Sequence, residues 1–167
     1  MKSYFRKYEV QRKLFSQDQS PESSDQEDST QNPTPEKELF ESDFAFLTFH
    51  QVEKIMELVW KGFADSNDYR QILEETLAAS IEKNVRKIVF NAKSLQAITT
   101  ENQEWTIESW FPTVQSKGIE IFAFVLPDDI FGEVSLQMIA DKTKEKYNIN
   151  SKFFSTNEEA LEWIKSV

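Results

Sequence analysis

One histidine, His50, and no cysteine make up all of this chain's imidazole and thiol chemistry. A single imidazole cannot build a multi-histidine metal site. The missing thiols exclude disulfides, thiolate nucleophiles, thiolate zinc sites and iron–sulfur clusters together. A Ser-His-Asp triad would have to form around His50, yet no Gly-x-Ser-x-Gly elbow occurs in the chain. His50 falls at the turn of a hairpin and reads as a surface or strand-end histidine. Glycine occurs only at positions 62, 118 and 132, too few for any phosphate-cradling loop. Asp128 and Asp129 are adjacent carboxylates of the kind that bind a metal or act as acid and base. Adjacent side chains point apart unless the backbone turns, and a helix start accounts for both. Glu74–Glu75 and Glu158–Glu159 read as solvated helix charges. The residue types predict no catalytic group, no metal and no cofactor.

The elements that would have to position any such group fit one domain. The chain has 167 residues, 39% of them hydrophobic, with fourteen Phe and four Trp, enough for one core but hardly for two. No run of 18 uncharged apolar residues occurs, so no membrane-spanning helix is expected. The first residues, MKSYFRKYEV, lack an apolar stretch behind their cations, which predicts no secretory signal. A cytoplasmic location fits these features.

The net charge of −10 is unevenly spread. Lys2, Arg6, Lys7, Arg12 and Lys13 against Glu9 give residues 1–15 a balance of +4, whereas residues 16–43 stand at −8 and residues 44–167 at −6. An acidic folded part repels phosphate backbones, so no nucleic-acid binding is expected of it. Residues 16–43 hold one aromatic side chain, Phe40, and one aliphatic, Leu39, too little apolar surface to offset the entropy of ordering. Residues 1–43 thus read as a basic-aromatic arm followed by a disordered acidic linker, and residues 44–167 as the domain. The arm interleaves Tyr4, Phe5, Tyr8, Val10, Leu14 and Phe15 with its cations. It is either an arm resting on its own domain or a tethered peptide for an anionic membrane surface or a partner.

From Phe44 the pattern changes. FAFLTF (44–49) and IMELVW (55–60) read as an antiparallel hairpin closed by Gly62. Asp65 or Ser66 caps a helix with Tyr69, Ile72, Leu73, Leu77 and Ile81 at helical spacing. KIVFNA (87–92) and IEIFAFVL (119–126) are near-continuous apolar runs, which suit parallel strands covered on both faces. Between them Thr100-Glu-Asn-Gln103 fits a capping box for a helix burying Ile107, Trp110, Phe111 and Val114, with a kink or end expected at Pro112. Pro127 and Asp128–Asp129 open another helix with Phe131, Val134 and Met138 on one side. SKFF (151–154) is a last strand, and Thr156-Asn-Glu-Glu159 caps a terminal helix with Leu161, Ile164 and Val167 inward. The order β-β-α-β-α-β-α-β-α predicts an α/β fold: a mixed sheet with a hairpin on one side.

That order resembles the STAS-like fold, and within it the SpoIIAA-like family of small stand-alone bacterial domains. The matching landmarks are Trp60-Lys-Gly62, the Tyr69 helix, the Ile88–Asn91 strand and Gln103-Glu-Trp105. Further along come Phe122–Pro127 with Asp129 and Phe131, and the segment from Phe153 to Trp163. The resemblance covers about 120 residues and excludes the first 43. It implies a non-enzymatic regulatory or protein-interaction module, and a link by fold to lipid-transfer domains of the CRAL-TRIO type. In anti-sigma-factor antagonists an Asp ends the third strand and a phosphorylatable Ser begins the next helix. Here Asn91 ends the strand, Thr99 and Thr100 stand at the helix start, and the Asp-Ser-Ser-Gly signature is absent. Thr99 and Thr100 are thus read either as helix caps or as phosphorylation sites.

A ligand of an open α/β sheet belongs outside the carboxyl ends of its strands. That places a candidate crevice at 91–100 and 127–131, with Asn91, Ser94, Thr99 and Asp129 as polar groups and Trp105 and Phe131 as apolar walls. The occupant expected there is a protein partner; the alternative is a small apolar or lipid-like ligand. In that alternative the chain's many aromatics enclose a cavity instead of filling a core.

Overall fold

Apolar side chains at successive positions of two strands require a sheet buried on both faces, and the fold is arranged around meeting that requirement. The computed structural model describes residues 37–147 and 149–167. Its elements are β1 (Lys37–Glu41), β2 (Ala45–His50), β3 (Ile55–Trp60), α1 (Ser66–Glu82) and β4 (Lys87–Asn91). Then come α2 (Thr100–Trp105), a π-helical turn (Thr106–Trp110), α3 (Phe111–Ser116) and β5 (Ile121–Val125). Last are α4 (Ile130–Tyr147), β6 (Asn150–Phe154) and α5 (Asn157–Ser166). The six strands lie side by side in chain order. The pairs β1–β2 and β2–β3 are antiparallel, and the three later pairs are parallel. This is the α/β mixed sheet with a hairpin on one side that the element order predicts. Among the described residues no helix is long and apolar enough to cross a membrane.

Strand registers sort the core into two layers. Met56, Leu58, Ile88, Phe90, Phe122 and Phe124 share one face, while Ile55, Val89, Ala123 and Val125 share the other. Right-handed crossovers between sequential parallel strands put all their helices on one side. Leu73, Trp110, Phe111, Leu136 and Ile139 accordingly pack with Phe90 and Phe124. Phe90 stacks between Phe122 and Phe124 at 5.9 and 5.6 Å, and Phe111 meets Phe122 edge-on at 5.5 Å. On the opposite face Ala160 and Ile164 of α5 close over Ile55, Val89, Ala123, Val125 and Phe154.

Four details differ from the sequence reading. The sheet starts at Lys37 and not at Phe44: Phe40 pairs with Leu47 and is buried, so β1 lies where the linker is expected. One inward aromatic is enough for an edge strand whose remaining groups face water. The rest of the arm and linker, residues 1–36, lies outside the described residues. Helix α2 is capped by Thr99, whose hydroxyl accepts from the Asn102 N–H at 3.3 Å, one residue before the expected Thr100. Pro112 neither ends nor breaks the helical backbone, which runs on to Ser116. The Phe111 N–H bonds the Thr106 carbonyl across the π turn, and Pro112 then sits in the first turn of α3, where a donor is not needed. Finally, Ile81 and Val167, expected inward, are exposed at 45% and 44%.

The cap position is directly testable. Thr99→Ala should cost about 1 kcal/mol of unfolding free energy, whereas Thr100→Ala should stay near zero. Urea titration of both variants measures the difference, and the reverse ranking would move the cap back to Thr100.

Candidate functional site

Strands β4 and β5 end side by side at Asn91 and Val125, and the loops that follow form the rim where an open sheet takes a ligand. The two loops are tied together. The Asp128 N–H donates to the Lys93 carbonyl at 3.1 Å, and Lys93 Nζ lies 2.7 Å from Asp128 Oδ1. Asp129 Oδ2 accepts from the Gly132 N–H at 2.7 Å and so caps α4. Gly132 is the point of closest approach: a Cβ there would lie 2.6 Å from the Leu95 carbonyl oxygen. Between the loops lies an open cleft of about 480 Å³, lined by Lys93, Ser94, Gln96, Asp128, Asp129 and Phe131 among others.

Three of the expected site residues meet there: Ser94, Asp129 and Phe131. The other three do not. Asn91 shares a register row with Val59 and Val125, which puts it on the α5 face of the sheet, and its Oδ1 accepts from the Lys93 N–H at 3.2 Å. Thr99 is occupied as the cap of α2. Trp105 lies under the Arg70 guanidinium at 5.3 Å, away from the cleft. Thr100 is exposed and makes the first residue of α2. Lys93 and Gln96 belong to the cleft although nothing in a short loop sequence marks them. The resulting chemistry is modest, because the one cation is paired with Asp128 and the Asp129 carboxylate is engaged by a backbone amide.

A second feature adjoins the cleft. Ile130, Phe131, Val134 and Met138 on α4 are exposed at 68%, 70%, 54% and 43%. They follow a spacing of about four residues, so they form one stripe, while Gly132, Leu136, Ile139 and Ala140 turn inward. The sequence places Phe131, Val134 and Met138 on one side of this helix, and that side faces solvent.

The interior aromatics fill space. Trp60, Tyr69, Phe90, Trp110, Phe111 and Phe124 surround a residual cavity of about 30 Å³, room for one water molecule and far less than a lipid-like ligand needs. Two of their polar atoms are bonded: Trp110 Nε1 donates to the Leu73 carbonyl at 3.0 Å, and Tyr69 Oη lies 3.0 Å from Thr106 Oγ1. Burial pushes the Tyr69 phenol up to about 12.

His50 closes β2 and is buried at 5% exposure, not on the surface. Its Nε2 lies 2.7 Å from Glu57 Oε2, and Glu57 Oε1 accepts from Asn157 Nδ2 at 2.7 Å. This places a histidine–carboxylate–amide set inside the fold, joining the hairpin to α5. Among the described residues no three His, Asp or Glu side chains come together to hold a metal ion. No protein-family model, curated protein or solved structure matched the chain.

Gly132→Ala should lower stability by about 1–3 kcal/mol, because the new methyl meets backbone carbonyls and not a movable side chain. Urea titration reads this, and an unchanged midpoint would mean that the 93–97 loop yields freely. Tyr69 sets an alkaline limit. Its folded-state value is raised, so its contribution is whole below pH 10 and is lost as pH climbs toward 12. Tyr69→Phe should lose less stability than wild type across that interval; equal losses would remove burial of the phenol as the cause.

Proposed function

We propose that this chain is a non-enzymatic protein-interaction module, regulatory in kind and of the SpoIIAA-like type, which engages its partner through the α4 stripe and the adjoining cleft. The observation that carries this reading is the exposure of Ile130, Phe131, Val134 and Met138 along one helix face. Contiguous exposed apolar surface marks binding surfaces. Fully covering each such side chain is worth about 1.5–3 kcal/mol. Association itself costs at least about 4 kcal/mol, so a partner must cover most of the stripe at once. Fold-level support comes from parallel strands in chain order, the crossover helices on one face and the preceding hairpin; β1 and the π turn are additions to that pattern. A carrier of apolar ligands would need interior room well beyond the 30 Å³ left among the aromatics.

The test compares wild type with the double variant Phe131→Asp/Val134→Asp in affinity capture from a lysate of the source organism. Both substituted positions are exposed, so circular dichroism and thermal midpoint should stay unchanged. Wild type should enrich a protein that the variant loses. Equal enrichment, or none with either chain, would overturn the assignment of this surface.

A further inference from the structure

The two outer strands of the sheet are built differently. β1 carries Lys37, Glu38 and Glu41, and its register shifts between Glu38 and Phe40, features that keep foreign strands off an edge. β6 runs in unbroken register with β5 over all five of its residues. The Asn150 N–H donates to the Glu120 carbonyl, and the Phe154 carbonyl accepts from the Leu126 N–H at 2.9 Å. Both residues therefore turn their backbone groups toward β5. Along a strand that direction alternates residue by residue. Lys152 then also faces β5, while Ser151 and Phe153 point their N–H and C=O groups outward. Two donors and two acceptors stand in a row without a backbone partner among the described residues.

One side of α5 overhangs this edge. Glu159, Glu162, Trp163 and Ser166 recur at the spacing of a single helix face and line an open groove of about 650 Å³ with Phe153 and Phe154. The Phe154 and Trp163 rings lie 5.5 Å apart at the groove floor, and Lys152, the one cation in the lining, holds its ammonium 5.2 Å above the Phe154 ring, beyond ion-pair distance of both glutamates. Among the described residues neither Glu159 nor Glu162 has a cation within ion-pair distance.

We propose that the β6 edge is a strand-addition site for an extended, basic segment of a partner protein. The segment pairs with the outward groups of Ser151 and Phe153. It sets an apolar side chain on the Phe154–Trp163 floor and a Lys or Arg toward Glu159 and Glu162. A second copy of this chain fits less well. Antiparallel pairing of two β6 strands through all four outward groups places Lys152 opposite its own counterpart, and like charges directly opposite destabilise a pair. This surface is separate from the α4 stripe and stands or falls independently of it.

Random peptides displayed on phage and selected on the full chain supply the test. Enriched peptides should carry an apolar residue and a Lys or Arg two positions apart, on one face of the added strand. They should bind Ser151→Pro about tenfold more weakly, the loss of one hydrogen bond. Proline at this outward position removes only an unpaired donor and is tolerated on an edge. Glu159→Lys/Glu162→Lys should also weaken them, and Phe131→Asp/Val134→Asp should leave them unchanged. Should Ser151→Pro fail to fold, hydrogen exchange on wild type decides: a bound peptide must slow exchange at the Ser151 and Phe153 amides. No enrichment, equal binding to Ser151→Pro, or unprotected amides would overturn the site.

Discussion

The structure depends on a single constraint: β4 and β5 carry apolar side chains on both faces and must be sealed on both. Three crossover connections cover one face with aromatic residues, and among the described residues α5 covers the other with Ala160 and Ile164. The size distribution follows. Phe90, Phe122 and Phe124 build a thick layer where several helices contribute, while Val89, Ala123 and Val125 keep the other side thin enough for one helix to close it. Aromatic pairs add about 0.5–1.5 kcal/mol each beyond their buried area. The thick side therefore gains rigidity as well as hydrophobic burial, and the space among Trp60, Tyr69, Phe90 and Trp110 is about 30 Å³.

Sealing the sheet also explains where the polar groups went. Trp110 and Tyr69 are pulled into the aromatic layer and bring their N–H and O–H with them, so each takes a partner on a neighbouring helix. Across the sheet, Glu57 is held by His50 and Asn157, which fastens α5 to the hairpin. A buried charge without such partners would cost far more than any hydrophobic gain at that position.

Among the described residues, what remains outside is apolar surface on α4 and an unpaired edge on β6. Both follow from the same topology. A sheet in chain order has two ends, and only the β1 end carries charges together with a bulge. The helix α4 spans from the end of β5 to β6 with its inner side committed to the sheet, which leaves Phe131 and Val134 without cover. The two surfaces present different chemistry, side chains in one case and backbone in the other.

The local patterns of the chain determined much of this. Alternation and helical spacing located β2 to β6 and all the long helical segments, because those signals depend on near neighbours. They could not reveal β1, where Leu39 and Phe40 stand in an acidic stretch and the strand exists only by pairing with β2. Nor could they choose between Thr99 and Thr100 as a cap, since two consecutive threonines offer the same hydroxyl and the loop geometry selects one. Candidate site residues divided for a similar reason. Asn91 and Ser94 are three positions apart, but a strand sends its last side chain to one face while the loop returns to the other. On α4 the stripes 130-134-138 and 132-136-139 are both periodic and both rich in apolar or small residues. Only contact with the sheet, a long-range fact, decided which of them is buried and which faces solvent.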